Sequence, residues 1–253
     1  FGEVLYDKEG ISGISVCDDS FAFGCYHSFL GNALHKEGLK IVNDLNQKCI
    51  ENLRNQALGC QHGIGHGILA FLGYEYDSLV DTLHICEKLP VSDPIGGCTG
   101  GAFMEYNFRT MLIENAVVRS LDTDPYSPCS SLAQNFRFSC YYWQPQWWGN
   151  VFQGEYKEKY KKIGTLCEEL NDNKERQQCF LGAGNNAGSF VNWNVDEVKK
   201  LCAQFSSEGE ILCRAGAAGS FIAEPSVRKE ARILCEDFDF EKQQACLQIS
   251  KLT

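Results

Sequence analysis

The chain has 253 residues, 44% of them apolar, and a formal net charge of −10. That length and composition support a folded core, and the acidic balance argues against partners that need a basic surface, such as nucleic acid or an anionic membrane face. No apolar run approaches the ~20 residues that cross a bilayer, so no transmembrane segment is predicted.

Fourteen cysteines are present, and no two are spaced as Cys-x-x-Cys. An even, heavy load without that spacing points to disulfides formed in an oxidising compartment, not to thiolate metal clusters. The chain is therefore expected to be secreted, periplasmic or cell-surface, and its start at Phe1, without an initiator Met or a leader, reads as that of a mature or excised segment.

Along the chain the cysteines fall into seven close pairs: Cys17 with Cys25, Cys49 with Cys60, Cys86 with Cys98, Cys129 with Cys140, Cys167 with Cys179, Cys202 with Cys213, and Cys235 with Cys246. Partners lie 8 to 12 residues apart and successive pairs step by 32 to 43 residues, the period range of helical-hairpin arrays. A charged amphipathic stretch precedes the first cysteine of a pair, as in 157–167, 196–202 and 227–235. This predicts an outer helix A with one wet face. A small, glycine-rich, nearly uncharged stretch follows the second cysteine and predicts a buried helix B. Within it a glycine three residues after the cysteine recurs as Gly63, Gly101, Gly182 and Gly216. Each costs about 1 kcal/mol relative to alanine in a helix, so its repetition predicts close helix approach. A bridge across each A–B turn is sterically easy and stabilises by roughly 3 kcal/mol or a little less in the chain-entropy account.

The predicted fold is all-α: a superhelical array (α/α solenoid) of about seven helical hairpins, each stapled by a local disulfide, forming a single domain over 1–253. Repeats one to three (1–112) hold the candidate site, 113–150 carry a loop insert and an aromatic segment, and 151–253 hold repeats five to seven. In outline the array resembles helical-repeat proteins of the tetratricopeptide or Sel1-like kind, without the signature residues of either. Leu121–Cys129, rich in Pro, Asp and Ser, reads as a loop. Pro145 is expected to break the helix after Cys140.

Two chemical features stand out. Aligned on the second cysteine, His27 and His62 occupy one repeat position, His66 lies a turn further along, and Met104 and Glu105 fall beside it in the third repeat. Helices packed about 8–10 Å apart allow imidazoles at equivalent positions to close on one ion. With the cysteines locked in bridges, imidazole is the strongest remaining ligand type, which suits copper, zinc or iron. Copper is favoured in an exported protein; Met104 as a further ligand would strengthen that choice, and Glu105 would favour zinc or iron. The plain alternative is that these histidines are buried packing residues. His35 and His84 lie outside the pattern. The second feature is Tyr141, Tyr142, Trp143, Trp147 and Trp148, a wall for a sugar ring, a planar ligand or a protein partner. Its plain alternative is core filling.

The stretch Gly182–Gly188 follows no strand and does not fit a dinucleotide-binding turn. No nucleophile elbow or phosphate loop is present, and the cysteine pairing leaves no thiol nucleophile. Two functional readings follow: an exported metal-binding protein, with enzymatic activity left open, or a non-catalytic protein- or carbohydrate-binding scaffold, including a subunit of a larger exported assembly, that grips its partner on a concave face.

Overall fold

The computed structural model describes residues 1–18, 20–53, 57–91, 93–111 and 117–252. Among the described residues the regular structure is all helical, with twelve α-helices and no strand. Contacts divide the chain into two compact units, Phe1–Ser120 and Leu121–Thr253. The first contains α1 (Gly2–Glu9), α2 (Ser20–Glu37), α3 (Val42–Leu53), α4 (Ala57–Leu72), α5 (Tyr76–Glu87) and α6 (Cys98–Phe108). The second contains α7 (Gln134–Val151), α8 (Tyr156–Glu168), α9 (Asn173–Phe190), α10 (Val195–Cys202), α11 (Ser207–Ala223) and α12 (Phe240–Ile249).

All seven disulfides join the partners expected from spacing, with Cα atoms 5.4 to 5.8 Å apart, and no free cysteine is left. The bridges tie α3 to α4, α5 to α6, α8 to α9 and α10 to α11 as true hairpins. The other three pairs depart from the helix A pattern. The segments Gly10–Val16 and Arg228–Cys235 are 3₁₀ helices, and Cys129 opens a single 3₁₀ turn ending at Ser131. Before Cys129 the chain is irregular from 117 onward, as the prolines and aspartates predict, and Asp124 accepts from the Tyr126 amide and the Ser130 hydroxyl. The start of the insert, 112–116, lies outside the described residues.

The B helices pack at backbone distance because glycine removes the side chain that would hold them apart. A Cβ on Gly101 would overlap the His62 carbonyl, and one on Gly65 would overlap that of Cys98, so α4 and α6 meet main chain to main chain. In the second unit Gly182 abuts the Tyr142 carbonyl, Gly184 that of Cys213 and Gly216 that of Leu181, placing α9 against both α7 and α11. Side-chain caps begin the helices that follow: Asp172 accepts from Lys174 and Glu175 amides at α9, Asn194 from Glu197 at α10, and Ser206 from Gly209 at α11.

Two expectations are corrected in α7. The helix runs unbroken through Pro145, which is buried. Proline forfeits one helical hydrogen bond at a cost of ~3 kcal/mol, but large buried rings hold the turns that follow it in place. Those rings are the aromatic segment itself: Trp147 and Trp148 are 0% exposed, and the Trp148 indole donates to the Pro125 carbonyl at 2.9 Å. Trp147 and Trp148 are therefore core residues and form no exposed wall; Trp143 and Tyr142 are half-buried and meet edge to face.

Candidate functional site

Helix α4 has its glycines on two faces. Gly63 and Gly67, a turn apart, receive Leu30 and Leu34 of α2, while Gly65 lies against α6. At about 100° of rotation per residue, His62 and His66 occupy the arc between those faces, and Ile64 and Ile68 turn the other way into the core with Leu45 and Cys86. The alternation of Gly and His in this helix thus sends two imidazoles into the seam between α2 and α6.

There they meet the residues predicted from the repeat. The ring centroids of His27 and His66 are 4.9 Å apart, and so are those of His62 and His66. His66 is central and 1% exposed, whereas His27 and His62 are half-buried. From α6, Glu105 reaches His66 and binds its Nδ1 through Oε2 at 2.8 Å. Glu105 is wholly buried and both its oxygens are occupied: Oε2 also accepts from the Thr110 hydroxyl at 2.5 Å, and Oε1 accepts from the Tyr74 hydroxyl at 2.7 Å and the Met111 amide at 3.0 Å. Burial pushes this carboxyl up, but the bonds from His66, Thr110 and Met111 outweigh it and hold the carboxyl below its ordinary range. Burial and the bond to Glu105 raise the Tyr74 phenol and keep it a donor. Glu105 thus supports an imidazole instead of offering a vacant ligand oxygen. It lies one residue, about 100° of helix, past Met104, the position aligned with His66, and Met104 is half-buried.

The carboxylate fixes the orientation of the His66 ring. With Nδ1 held by Glu105, Nε2 is the remaining ring nitrogen; it is buried and has no hydrogen-bond partner among the described residues. His62 places Nδ1 3.2 Å from the Gly96 carbonyl. Burial, then electrostatic repulsion from the neighbouring His66, lowers His27 to about 4 despite the opposing pull of Glu105. The same two causes, in that order, lower His62 to about 3. Both rings are neutral at physiological pH, the state that coordinates a metal. Among the described residues, however, no three His, Cys, Asp or Glu side chains already stand as a group able to hold an ion. His35 is exposed, and His84 pairs at 3.6 Å with Glu87.

Sequence reasoning missed Tyr74, Thr110 and Met111, because all three follow the ends of B helices, where the repeat alignment stops. Arg109 ends α6 in the left-handed region with φ 48°, turning Thr110 and Met111 back over Glu105. Its guanidinium lies 5.0 Å from the Tyr74 ring centroid. No protein family, curated protein or solved structure matches this chain.

The lowered histidines predict acid lability of the metal-free protein. Below pH 6.5 the unfolded chain takes up protons that folded His27 and His62 refuse until about pH 4 and 3, so stability present above 6.5 is lost through that window. The melting temperature in chelator should fall as pH drops from 6.5 towards 4. In a His27→Gln, His62→Gln variant that slope should be shallower, and an equally steep fall would assign the lability to other groups.

Proposed function

We propose that this is an exported, disulfide-stapled helical-repeat protein that binds one transition metal ion through His27, His62 and His66, with Glu105 as the carboxylate that orients His66. The observation that carries this reading is His66: its Nε2 is buried without a hydrogen-bond partner among the described residues, its ring meets two neutral imidazoles, and its Nδ1 is held by an ionised carboxylate. A ligating histidine commonly donates its second nitrogen to a carboxylate in this way. Spacing also supports it. Two imidazoles bound to one tetrahedral ion at about 2.0–2.1 Å place their ring centroids about 5 Å apart, close to the 4.9 Å of both pairs. Gathering three nitrogens at one point needs rotation of His27 or His62, which border solvent, while His66 stays fixed by Glu105.

The hairpin array is part of the same proposal. Within each unit the B helices succeed one another through glycine contacts, and α3, α5, α8 and α10 flank them, which supports reading each unit as a short stack of stapled hairpins. Seven disulfides fit an oxidising compartment, and no helix among the described residues is long and apolar enough to cross a membrane.

The test is metal content after purification without an affinity tag, followed by titration with zinc and copper ions. The wild-type chain should take up one ion and melt higher with it, by about 4 kcal/mol of added stability at a thousandfold excess over Kd. A His62→Ala, His66→Ala variant should take up none. Equal metal content in the two proteins would leave the imidazoles as buried struts joining α2, α4 and α6 and would remove this function.

A further inference from the structure

We infer that Met111 supplies a thioether to this centre and makes it selective for copper(I). The inference rests on the three-histidine reading and adds to it the residue that chooses the ion. The chain has two methionines, and the repeat alignment selects Met104. The structure points to Met111. Its backbone amide is bonded to Glu105, the carboxylate on His66. Its side chain crosses to α2, where its methyl lies 3.0 Å from the position a Cβ would take on Gly31.

Gly31 is one helical turn beyond His27 on the same face of α2, and it holds on α2 the repeat position that His66 holds on α4. The Met111 side chain therefore begins at the support of His66 and ends beside the turn that follows His27. His27 and His66 are themselves in ring contact. Glycine at position 31 leaves room for the Met111 methyl, which a Cβ there would press upon and shift. A flexible thioether tethered at Glu105 and reaching the turn after His27 can swing towards the imidazoles, a soft donor added to borderline ones. Zinc is well served by the imidazoles and gains little from sulfur, whereas copper(I) gains a preferred ligand.

The experiment compares wild type, Met111→Leu and Met104→Leu. Each is loaded anaerobically with copper(I) supplied as its acetonitrile complex, so that no thiol reductant reaches the disulfides. Copper(I) affinity is read by competition with a chromogenic chelator, zinc affinity by a second competition, and the ligand atoms by X-ray absorption. Met111→Leu should weaken copper(I) binding about tenfold or more, leave zinc binding within about twofold, and remove a sulfur scatterer that wild type and Met104→Leu retain. Wild-type copper(I) affinity in Met111→Leu, or loss of sulfur in Met104→Leu instead, would overturn the assignment while leaving the histidine centre standing. A wild-type protein that binds neither ion would fail at the zinc arm, before any methionine is changed, and would remove both.

Discussion

Reduction and alkylation of the seven disulfides is expected to abolish the helical fold of both units. Each bridge closes a loop with its cysteines 8 to 12 residues apart, for which the chain-entropy account gives roughly 3 kcal/mol. Domains of this size are commonly stable by about 5–15 kcal/mol in total, so losing two or three bridges removes a margin of that order. The B helices have little intrinsic strength to replace it. Helix α4 alone contains Gly59, Gly63, Gly65 and Gly67, each about 1 kcal/mol worse than alanine, and its stability comes from neighbours that the bridges hold in place. Far-UV circular dichroism of the alkylated protein should show collapse of the helical signal and no cooperative melt. Opening one bridge by Cys86→Ser, Cys98→Ser should lower stability by about 3 kcal/mol and weaken metal uptake as well, because Cys98 begins the helix that carries Glu105. An alkylated protein with its helical spectrum and melting transition intact would show that burial alone holds the fold.

The cysteine spacing made the helical hairpins and all seven bridges legible, because a bridge of that span constrains its partners locally and needs no knowledge of the rest of the chain. The histidines were legible for a related reason: repeat position on a B helix fixes the direction of a side chain, so His27, His62 and His66 could be placed on one side before their contacts were known. Two kinds of information were hidden. Local propensity gave Pro145 the wrong consequence, since buried rings after it override the missing hydrogen bond, and those same rings, Trp147 and Trp148, proved to be core. The parts of the site beyond the periodic segments were invisible as well. Tyr74, Thr110 and Met111 approach Glu105 because the chain turns after α4 and α6, and in the second case the turn depends on Arg109 adopting a left-handed conformation. A one-residue offset on α6 decided between Met104 and Glu105, finer than an alignment on cysteines resolves.

Replacing glycine by alanine should have opposite effects at two helical positions in this protein. At Gly65 the new methyl would overlap the Cys98 carbonyl and the Ala102 amide nitrogen, backbone atoms with no rotamer to move into. Relief requires α4 and α6 to separate, and the expected cost is about 3 kcal/mol even after alanine's better helix propensity is counted. At Gly219, in α11, nothing lies within 4 Å of the new methyl, so Gly219→Ala should stabilise by up to about 1 kcal/mol. Urea unfolding of both variants measures the difference directly, and destabilisation of similar size at the two positions would falsify the account of glycine as a backbone-contact residue. The Gly65 variant carries a second consequence. The 2.8 Å bond between His66 and Glu105 spans the same two helices, so moving them apart loosens the one imidazole whose orientation the carboxylate fixes. Metal affinity should therefore fall in Gly65→Ala and stay unchanged in Gly219→Ala, linking the spacing of the glycines to the chemistry of the histidines between them.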